Sequence, residues 1–192
     1  MSLAEGKAVF DLNVWANVAL SQAALPLLLK SSKGMIVNHT SIAAHAAIPY
    51  HAAYAVSKAA MSMFTTIMRE ELEGSFGLKV VELKTGGVNT EIVKNARAKE
   101  GGLPNSSIYA AAKEVIEPAL RGEFLENRGI TPEAWAKGVV GDLLSSSPPN
   151  VIWRGNGATQ ARIASWFPMS WLSGPLEKLT GLDKVEKIVK KP

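Results

Sequence analysis

The sequence predicts an α/β fold in which helices cover a short parallel sheet. Two nearly continuous apolar runs, Gly34–His39 and Leu78–Lys84, are typical of parallel strands that are buried on both faces. The stretch Ala52–Gly74 between them has a helical pattern, as the crossover between two parallel strands requires. Val151–Trp153 is short and apolar and predicts a third strand. With 192 residues and 47% hydrophobic content, residues 1–192 can form a single domain with a core.

The other elements are predicted from periodicity and from the residues that start or stop a helix. Further helices are predicted over Lys7–Ser32, Ser106–Leu125, and Thr131 to about Ser145. We expect Pro26 to kink the first of these, Gly74 to cap the helix before it, and Thr131 to be an N-cap. Glu91–Asn105 is polar and contains Gly101 and Gly102, which predicts a mobile lid at the mouth of a substrate site.

Composition narrows the class of function. The chain has no cysteine, which excludes disulfides and thiolate metal sites. Its net charge of +4 is mild, and no basic stripe indicates a nucleic-acid partner. No apolar run has the length that spans a bilayer, and no signal peptide is visible, so we expect a cytoplasmic protein.

Three side chains between Ser41 and Lys58 can do acid–base chemistry. Ser41 follows the first predicted strand, and Tyr54 and Lys58 lie one turn apart on one face of the next helix. A neighbouring cation favours the phenolate form of a tyrosine, so Tyr54 can exchange a proton with a substrate oxygen that Ser41 also hydrogen-bonds. His45 and His51 lack partners with the spacing of metal ligands, and we interpret them as a loop and a surface histidine. No metal site is predicted.

The stretch Ala8–Thr90 resembles the catalytic half of the short-chain dehydrogenase/reductase superfamily. The resemblance depends on the position of Ser41, on the strand Gly34–Ser41, and on Phe10–Val14, which matches the helix with the family's catalytic asparagine, here Asn13. The family's fold is Rossmann-like, with three α/β/α layers. The catalytic residues that the resemblance implies are Asn13, Ser41, Tyr54 and Lys58. It further implies a carbonyl/alcohol oxidoreductase.

The same resemblance implies NADP(H) as the cofactor. Thr85–Thr90 stands where the family has Pro-Gly-x-x-x-Thr, a segment that contacts the nicotinamide carboxamide. The implied cofactor-binding residues are Lys58, Gly87, Val88 and Thr90. Gly86 replaces the family's proline, and we expect this departure to make the loop looser. In the family the asparagine, here Asn13, occupies a helix distortion and holds a water that relays protons to the lysine.

Two motifs of the family have no counterpart in this sequence. They are the Thr-Gly-x-x-x-Gly-x-Gly turn, which binds the cofactor pyrophosphate, and the Asn-Asn-Ala-Gly segment. By the resemblance we expect a truncated Rossmann-like sheet of three strands with one exposed edge. Such a surface requires a partner. Small residues on the two helices that contain Asn13 and Tyr54 predict a homo-oligomer built on those helices.

Three functions are compatible with these residues. The first is an oxidoreductase for a small apolar or lipid-like carbonyl or alcohol, whose cofactor half is supplied elsewhere or lost. The second is an isomerase, cyclase or lyase that reuses Ser41, Tyr54 and Lys58 without a cofactor. The third is a non-catalytic remnant that oligomerises with a full-length relative.

The C-terminal tail, residues 164–192, is rich in aromatic residues near its start. Trp166, Phe167 and Trp171 predict plain core cover, a lid for a long apolar substrate, or contact with a membrane surface, since Trp favours interfaces. Trp153-Arg154-Gly155 and this tail resemble the acyl-dihydroxyacetone-phosphate reductase branch of the superfamily, which acts on lipids. We therefore expect the cytoplasmic protein to be peripheral to a membrane.

Overall fold

The computed structural model of the protein describes residues 2–98 and 102–190. Three parallel strands form one sheet in the order β1-β2-β3, which confirms the α/β prediction. The strands are β1 (Met35–Ser41), β2 (Lys79–Thr85) and β3 (Val151–Arg154). The register aligns Ser41 with Thr85, and Thr85 with Arg154. The carboxyl ends of all three strands therefore meet at one edge of the sheet, where ligands bind in open α/β folds.

Helices occupy most of the remaining described residues. They are α1 (Leu3–Phe10), α2 (Ala16–Leu28), α3 (Ala52–Phe76), α4 (Ile92–Ala98), α5 (Lys113–Leu120), α6 (Pro132–Leu143), α7 (Ala158–Ala164), α8 (Ser173–Thr180) and α9 (Leu182–Val189). Short 3-10 turns lie at Ile42–His45, Ala110–Ala112, Glu123–Leu125 and Met169–Leu172. None of the helices in the described ranges combines the length and hydropathy that crossing a membrane requires.

The first helical run differs from its prediction at both ends. It begins at Leu3, where Ser2 and Glu5 form a capping box, and it ends at Leu28 instead of Ser32. Between α1 and α2, Asp11–Trp15 is a π-helix, which is the distortion that the family resemblance implies around its asparagine.

Caps decide where two other helices end and begin. The prediction that Gly74 caps α3 is wrong, because the helix continues to Phe76 and Gly77 takes the left-handed conformation at φ +65°. The prediction for Thr131 is confirmed, since its hydroxyl accepts a hydrogen bond from the backbone of Ala134 at 3.2 Å.

Two apolar clusters cover the two faces of the sheet. On one face Ile36 and Val80 pack with Met68 of α3 and with partly buried residues of α2. On the other face Leu83 and Ile152 lie in a second cluster that includes residues of α6. The result is a three-layer α/β/α arrangement that places α3 beside β1 and β2.

Strand β1 is not covered on both faces, although its apolar run predicted this. Val37 is 38% exposed and His39 is also exposed, while Ile36 and Asn38 are buried against the helices. The outer edge of β1 has no partner strand within the described ranges. One face and one edge of the strand that leads to Ser41 are therefore open to solvent or to a partner.

The predicted lid, Glu91–Asn105, is only partly described. It contains α4, whose Val93 is buried. Residues 99–101, which include Gly101, lie outside the described residues. Its mobility stays a prediction. The predicted helix Ser106–Leu125 is divided into two 3-10 turns and α5.

Candidate active site

Ser41 is the last residue of β1 and is buried at the carboxyl edge of the sheet. Its Oγ accepts a hydrogen bond from the backbone amide of Ala43 at 3.1 Å. The same hydroxyl is oriented to donate to the carbonyl of Thr85 at 3.4 Å. The serine is thus held between the turn that follows β1 and the loop that follows β2.

Tyr54 and Lys58 lie in the first two turns of α3, as predicted. The Lys58 Nζ lies 5.9 Å from the centroid of the Tyr54 ring and donates a hydrogen bond to the backbone carbonyl of His39 at 3.0 Å. His39 precedes Ser41 by two residues, so this bond connects α3 directly to the strand that ends in Ser41. The Tyr54 side chain is 37% exposed, and its hydroxyl has no hydrogen-bond partner in the described part of the chain.

The electrostatic setting of Lys58 differs from that of a surface lysine. Partial burial lowers the pKa of Lys58 below its ordinary value of 10.5, because desolvation disfavours the charged amine. Lys58 therefore gives up its proton at a lower pH than a surface lysine does, because its pKa is lowered.

Asn13 reaches the catalytic helix through a residue that the sequence did not single out. Its Nδ2 donates to the Ser57 Oγ at 3.0 Å, and the Ser57 hydroxyl donates to the backbone carbonyl of Tyr54 at 2.7 Å. Ser57 is fully buried. The signal in the sequence is its place between Tyr54 and Lys58, where a helical serine can bond back to the carbonyl three residues earlier.

The backbone oxygen of Asn13 is also occupied in this structure, because Asn17 Nδ2 donates to it at 3.0 Å. The structure thus links Asn13 to Tyr54 through Ser57, and it places the Lys58 Nζ 5.9 Å from the centroid of the Tyr54 ring and bonded to β1 just before Ser41. These three residues are called the connected group below. The meeting of the Tyr54 and Ser41 hydroxyls at one substrate oxygen stays a prediction.

The loop Thr85–Thr90 offers an unpaired backbone amide and an unpaired backbone carbonyl, both of Val88, at the same edge of the sheet. Ile130 pairs in parallel with Val88 by donating to the Gly87 carbonyl at 3.2 Å and accepting from the Asn89 amide at 2.9 Å. The amide and carbonyl of Val88 itself therefore point away from Ile130. Neither of them has a hydrogen-bond partner among the described residues. One donor and one acceptor side by side are complementary to a primary carboxamide.

The expectation that Gly86 loosens this loop is wrong. Its amide donates to the Arg154 carbonyl at 2.8 Å, a bond that a proline could not make. A Cβ at this position would lie 2.3 Å from the Asn156 carbonyl oxygen. Gly87 is bound to the same segment after β3, because it exchanges two backbone hydrogen bonds of 2.8 Å with Asn156. The glycines therefore permit close packing of this loop against the segment after β3.

The predicted cofactor residues fit the nicotinamide end of a dinucleotide. Val88 presents the complementary donor and acceptor, Gly87 holds the loop through its two bonds to Asn156, and Thr90 is exposed at the end of the loop. Lys58 offers an amine at β1, where it donates to the His39 carbonyl at 3.0 Å. No group of three or more potential metal ligands occurs among the described residues.

Comparison with known proteins identifies the family of the chain. The profile of the short chain dehydrogenase family matches residues 1–101. A short-chain dehydrogenase/reductase of Pestalotiopsis microspora is 43% identical over 191 residues, which cover 99% of this chain and 65% of that protein. The NADPH-dependent 1-acyldihydroxyacetone phosphate reductase of Saccharomyces cerevisiae is 31% identical over 184 residues, covering 94% of this chain and 59% of the relative.

Solved structures show the same fold. A short-chain dehydrogenase from Streptomyces avermitilis superposes with a TM-score of 0.65 at 20% identity, covering 97% of this chain and 63% of that one. One from Burkholderia cenocepacia, in complex with NADP, gives a TM-score of 0.63 at 20% identity over 89% of this chain and 60% of that one. The chain therefore spans about three fifths of the length of the relatives that it matches.

Proposed function

The chain belongs to the short-chain dehydrogenase/reductase family, and from this premise we propose that it carries the catalytic site of an NADP(H)-dependent oxidoreductase. The proposed reaction interconverts a carbonyl and an alcohol on an apolar or lipid-like substrate. The observation that carries the proposal is the connected group of Asn13, Tyr54 and Lys58, bonded to β1 two residues before Ser41.

Each of these residues has a distinct chemical task in the proposed reaction. The Tyr54 hydroxyl donates its proton to the substrate oxygen during reduction, while the Ser41 hydroxyl hydrogen-bonds the same oxygen. Lys58 favours the tyrosinate through its positive charge. Asn13 holds the first turn of α3 in place through Ser57. A bound NADPH supplies the hydride.

Four residues would hold the nicotinamide end of the cofactor: Lys58, Gly87, Val88 and Thr90. The unpaired amide and carbonyl of Val88 support this assignment, because they match a carboxamide. The NADPH dependence stated for the yeast relative and the NADP bound to the Burkholderia structure support the choice of cofactor. The proposal concerns the nicotinamide end of the cofactor alone, since these four residues lie at the carboxyl edge of the sheet.

The proposed substrate class rests on the relatives and on the C-terminal tail. Two of the relatives are reductases of a 1-acylated dihydroxyacetone phosphate. In this chain Trp166 and Trp171 are 77% and 68% exposed, and Phe167 stacks on Trp171 with ring centroids 5.2 Å apart. Exposed tryptophans of this kind suit a membrane interface, which is where a lipid-like substrate would be met. We include peripheral membrane contact through these three residues in the proposal.

The partner proposed for the catalytic helices is a second copy of this chain. Large apolar side chains that are exposed on the first helical run and on α3 are Leu12, Trp15, Leu20, Val56, Met63 and Ile67. They lie on the two helices that carry Asn13 and Tyr54. Burying such a surface is the usual reason for subunit association.

Two other functions have an observation of their own. The Tyr54 side chain is exposed and its hydroxyl has no hydrogen-bond partner among the described residues, so with Lys58 and Ser41 it can polarise a carbonyl without hydride transfer, which favours a cofactor-independent isomerase, cyclase or lyase. The open edge of β1 and the exposed Val37 favour a non-catalytic chain that pairs with a longer relative. We rank both below the oxidoreductase.

Calorimetry with NADPH, followed by turnover of acylated and simple ketones, tests the three functions against one another. NADPH binding with NADPH-dependent reduction is the result expected for the oxidoreductase. Turnover of a carbonyl substrate without any NADPH binding would favour the cofactor-independent enzyme. Absence of both, with tight association to a longer relative, would favour the non-catalytic chain.

A further inference from the structure

A buried ion pair lies on the face of β2 that packs against α3. Glu82 and Lys84 are both buried, and the Lys84 Nζ lies 3.1 Å from the Glu82 Oε1. Thr40, the register partner of Lys84 on β1, donates its hydroxyl to the same carboxylate oxygen at 2.8 Å. None of these residues belongs to the catalytic group described above. A buried charge pair is costly to desolvate and needs a reason to persist.

The Lys84 ammonium makes three further contacts. It donates to the Ser62 Oγ at 3.0 Å, contacts the His45 Nε2, and lies 5.2 Å from the centroid of the Trp153 ring. An ammonium has three donors and no acceptor, so the His45 Nε2 must accept. That requires a neutral His45 with its proton on Nδ1.

Burial and the positive charge of Lys84 both lower the pKa of His45. Burial lowers the pKa of His45 below 6.5, the positive Lys84 lowers it further, and Glu82 opposes both. These two residues of β2 are the charged groups that face His45 in the described structure. Ser62 on α3 and Trp153 on β3 complete its surroundings without adding charge. Near neutral pH the ring is therefore the acceptor that Lys84 needs.

His45 ends the turn that immediately follows the catalytic strand. The 3-10 turn Ile42–His45 is short, and its internal bonds are few. The Ala43 amide donates to the Ser41 hydroxyl at 3.1 Å, and the Ala46 amide donates to the Ala43 carbonyl at 3.4 Å. A displacement of His45 would therefore move the group that holds the Ser41 hydroxyl.

The side of the turn that faces β3 is not closely packed around His45. A cavity of ≈ 460 Å³ adjoins the cluster and is lined by residues that include Ala44, His45, Met63 and Trp153. The contact from Lys84 is the polar contact that holds the His45 side chain at the edge of this space, beside the Trp153 ring at 5.9 Å.

We propose that Lys84 and His45 are positioning residues: the buried Glu82–Lys84 pair anchors a neutral His45, and this anchor fixes the turn that orients the Ser41 hydroxyl. The catalytic consequence rests on the proposed function, whereas the restraint on the turn does not. Protonation of His45 removes the acceptor and sets two cations against each other. The turn is then released as the pH falls.

The sign of this pH effect follows from the lowered pKa of His45. The unfolded chain binds a proton at its histidine below about pH 6.5, before the folded chain does. The stabilisation is complete above that pH, and it is lost as the pH falls through the lower pKa of folded His45. Protonation of His45 therefore weakens the restraint on the turn only below about pH 6.5.

Amide hydrogen exchange tests the restraint without an activity assay. We expect the protection factors of the Ala43 and Ala46 amides to fall about tenfold in His45→Phe, the scale of one hydrogen bond to a charged group. His45→Gln, whose side-chain oxygen can accept from Lys84, should keep most of the protection and lose its dependence on pH below 6.5. His51→Phe is the matched control, since His51 contacts Pro49 and Phe124 instead of Lys84.

The second half of the experiment concerns Lys84 itself. Lys84→Met leaves Glu82 buried and unpaired and can fail to fold, so the double variant Glu82→Gln/Lys84→Met keeps the charges balanced. It should lose as much protection of the Ala43 and Ala46 amides as His45→Phe does. In an NADPH-linked assay its kcat should be lower, and the fall of kcat at acid pH that comes from protonation of His45 should be absent. Unchanged protection in both variants would overturn the inference whatever the turnover. Lost protection without turnover in any form would support it and count against the proposed function alone.

Discussion

Lys58 and His39 are joined by a single hydrogen bond of 3.0 Å from the lysine amine to the strand carbonyl. The bond crosses from α3 to β1, so the amine of the catalytic helix lies at the strand that ends in Ser41. Lys58 is partly buried there, although the outer edge of β1 has no partner strand among the described residues. In the proposed reaction this amine serves the phenol and the cofactor, and the carbonyl of His39 is its partner in the ligand-free chain.

Tyr54→Phe should lower the rate of the proposed reaction by about a hundredfold or more, because it removes a positioned proton donor. Ring packing is nearly unchanged, so the circular dichroism spectrum should match that of the parent. The control is Tyr109→Phe, since Tyr109 is 36% exposed against 37% for Tyr54 and lies outside the catalytic group. A near-full rate for Tyr54→Phe would exclude both enzymatic functions.

Ser41→Ala should reduce the rate less than Tyr54→Phe does. It removes one hydrogen bond to the developing oxyanion and leaves the proton donor in place. The same variant frees the Ala43 amide, which donates to the serine hydroxyl. Steady-state kinetics of the two variants under identical conditions give the comparison, and a larger loss for Ser41→Ala would contradict the assigned roles.

Lys58→Met removes the charge and keeps most of the apolar stem. If the charge acts mainly by favouring the tyrosinate, the lost rate should be partly recovered at high pH. If the lysine mainly holds the cofactor, raising the pH should recover nothing and the NADPH affinity should fall. A pH–rate profile and calorimetry on Lys58→Met separate these results, with the exposed Lys30→Met as the control for a lost surface charge.

Gly86→Ala should lower the melting temperature markedly. The added methyl meets the Asn156 carbonyl oxygen at 2.3 Å, and overpacking of this kind costs about 1–3 kcal/mol of unfolding free energy. Gly141→Ala in α6 is the matched control. A Cβ there meets nothing within 4 Å, so it should stabilise the helix by about 0.5–1 kcal/mol. Equal melting temperatures for the two variants would contradict the close packing of the loop.

The chain should form a homo-oligomer at micromolar concentration through the helices of Asn13 and Tyr54. Ile67→Glu places a charge on the exposed apolar face of α3 and should dissociate the oligomer in light scattering. Ile108→Glu is the control, because Ile108 is 83% exposed but lies outside those helices. A monodisperse monomer for the parent chain would refute the proposed interface.

Local patterns in the sequence predicted the strands and placed Tyr54 and Lys58 correctly, because strand and helix periods are properties of neighbouring residues. The cap of α3 was misplaced because Gly74 and Gly77 carry the same local signal, and only the positive φ of Gly77 distinguishes them. The exposure of Val37 was missed because the apolar pattern of a strand is the same whether or not its outer face is covered.

Contacts between distant residues account for the rest of what the sequence could not predict. Lys84 lies in an apolar strand pattern, and nothing near it in the chain indicates that it meets His45 across the fold. The role of Gly86 depends on Arg154 and Asn156, which follow β3. Ser57 was unremarked because its importance arises only when Asn13 is placed opposite it.

The close approach of Gly86 and Gly155 constrains how this sequence can change over generations. A Cβ on Gly155 would lie 2.8 Å from the carbonyl carbon of Gly86, and Gly155 itself has a φ of +109°. The loop after β2 and the loop after β3 therefore touch backbone to backbone, with no side chain between them. Neither glycine can be replaced by a larger residue unless the backbone of the facing loop moves. Descendants of this chain should inherit the two glycines as a pair or lose the contact altogether.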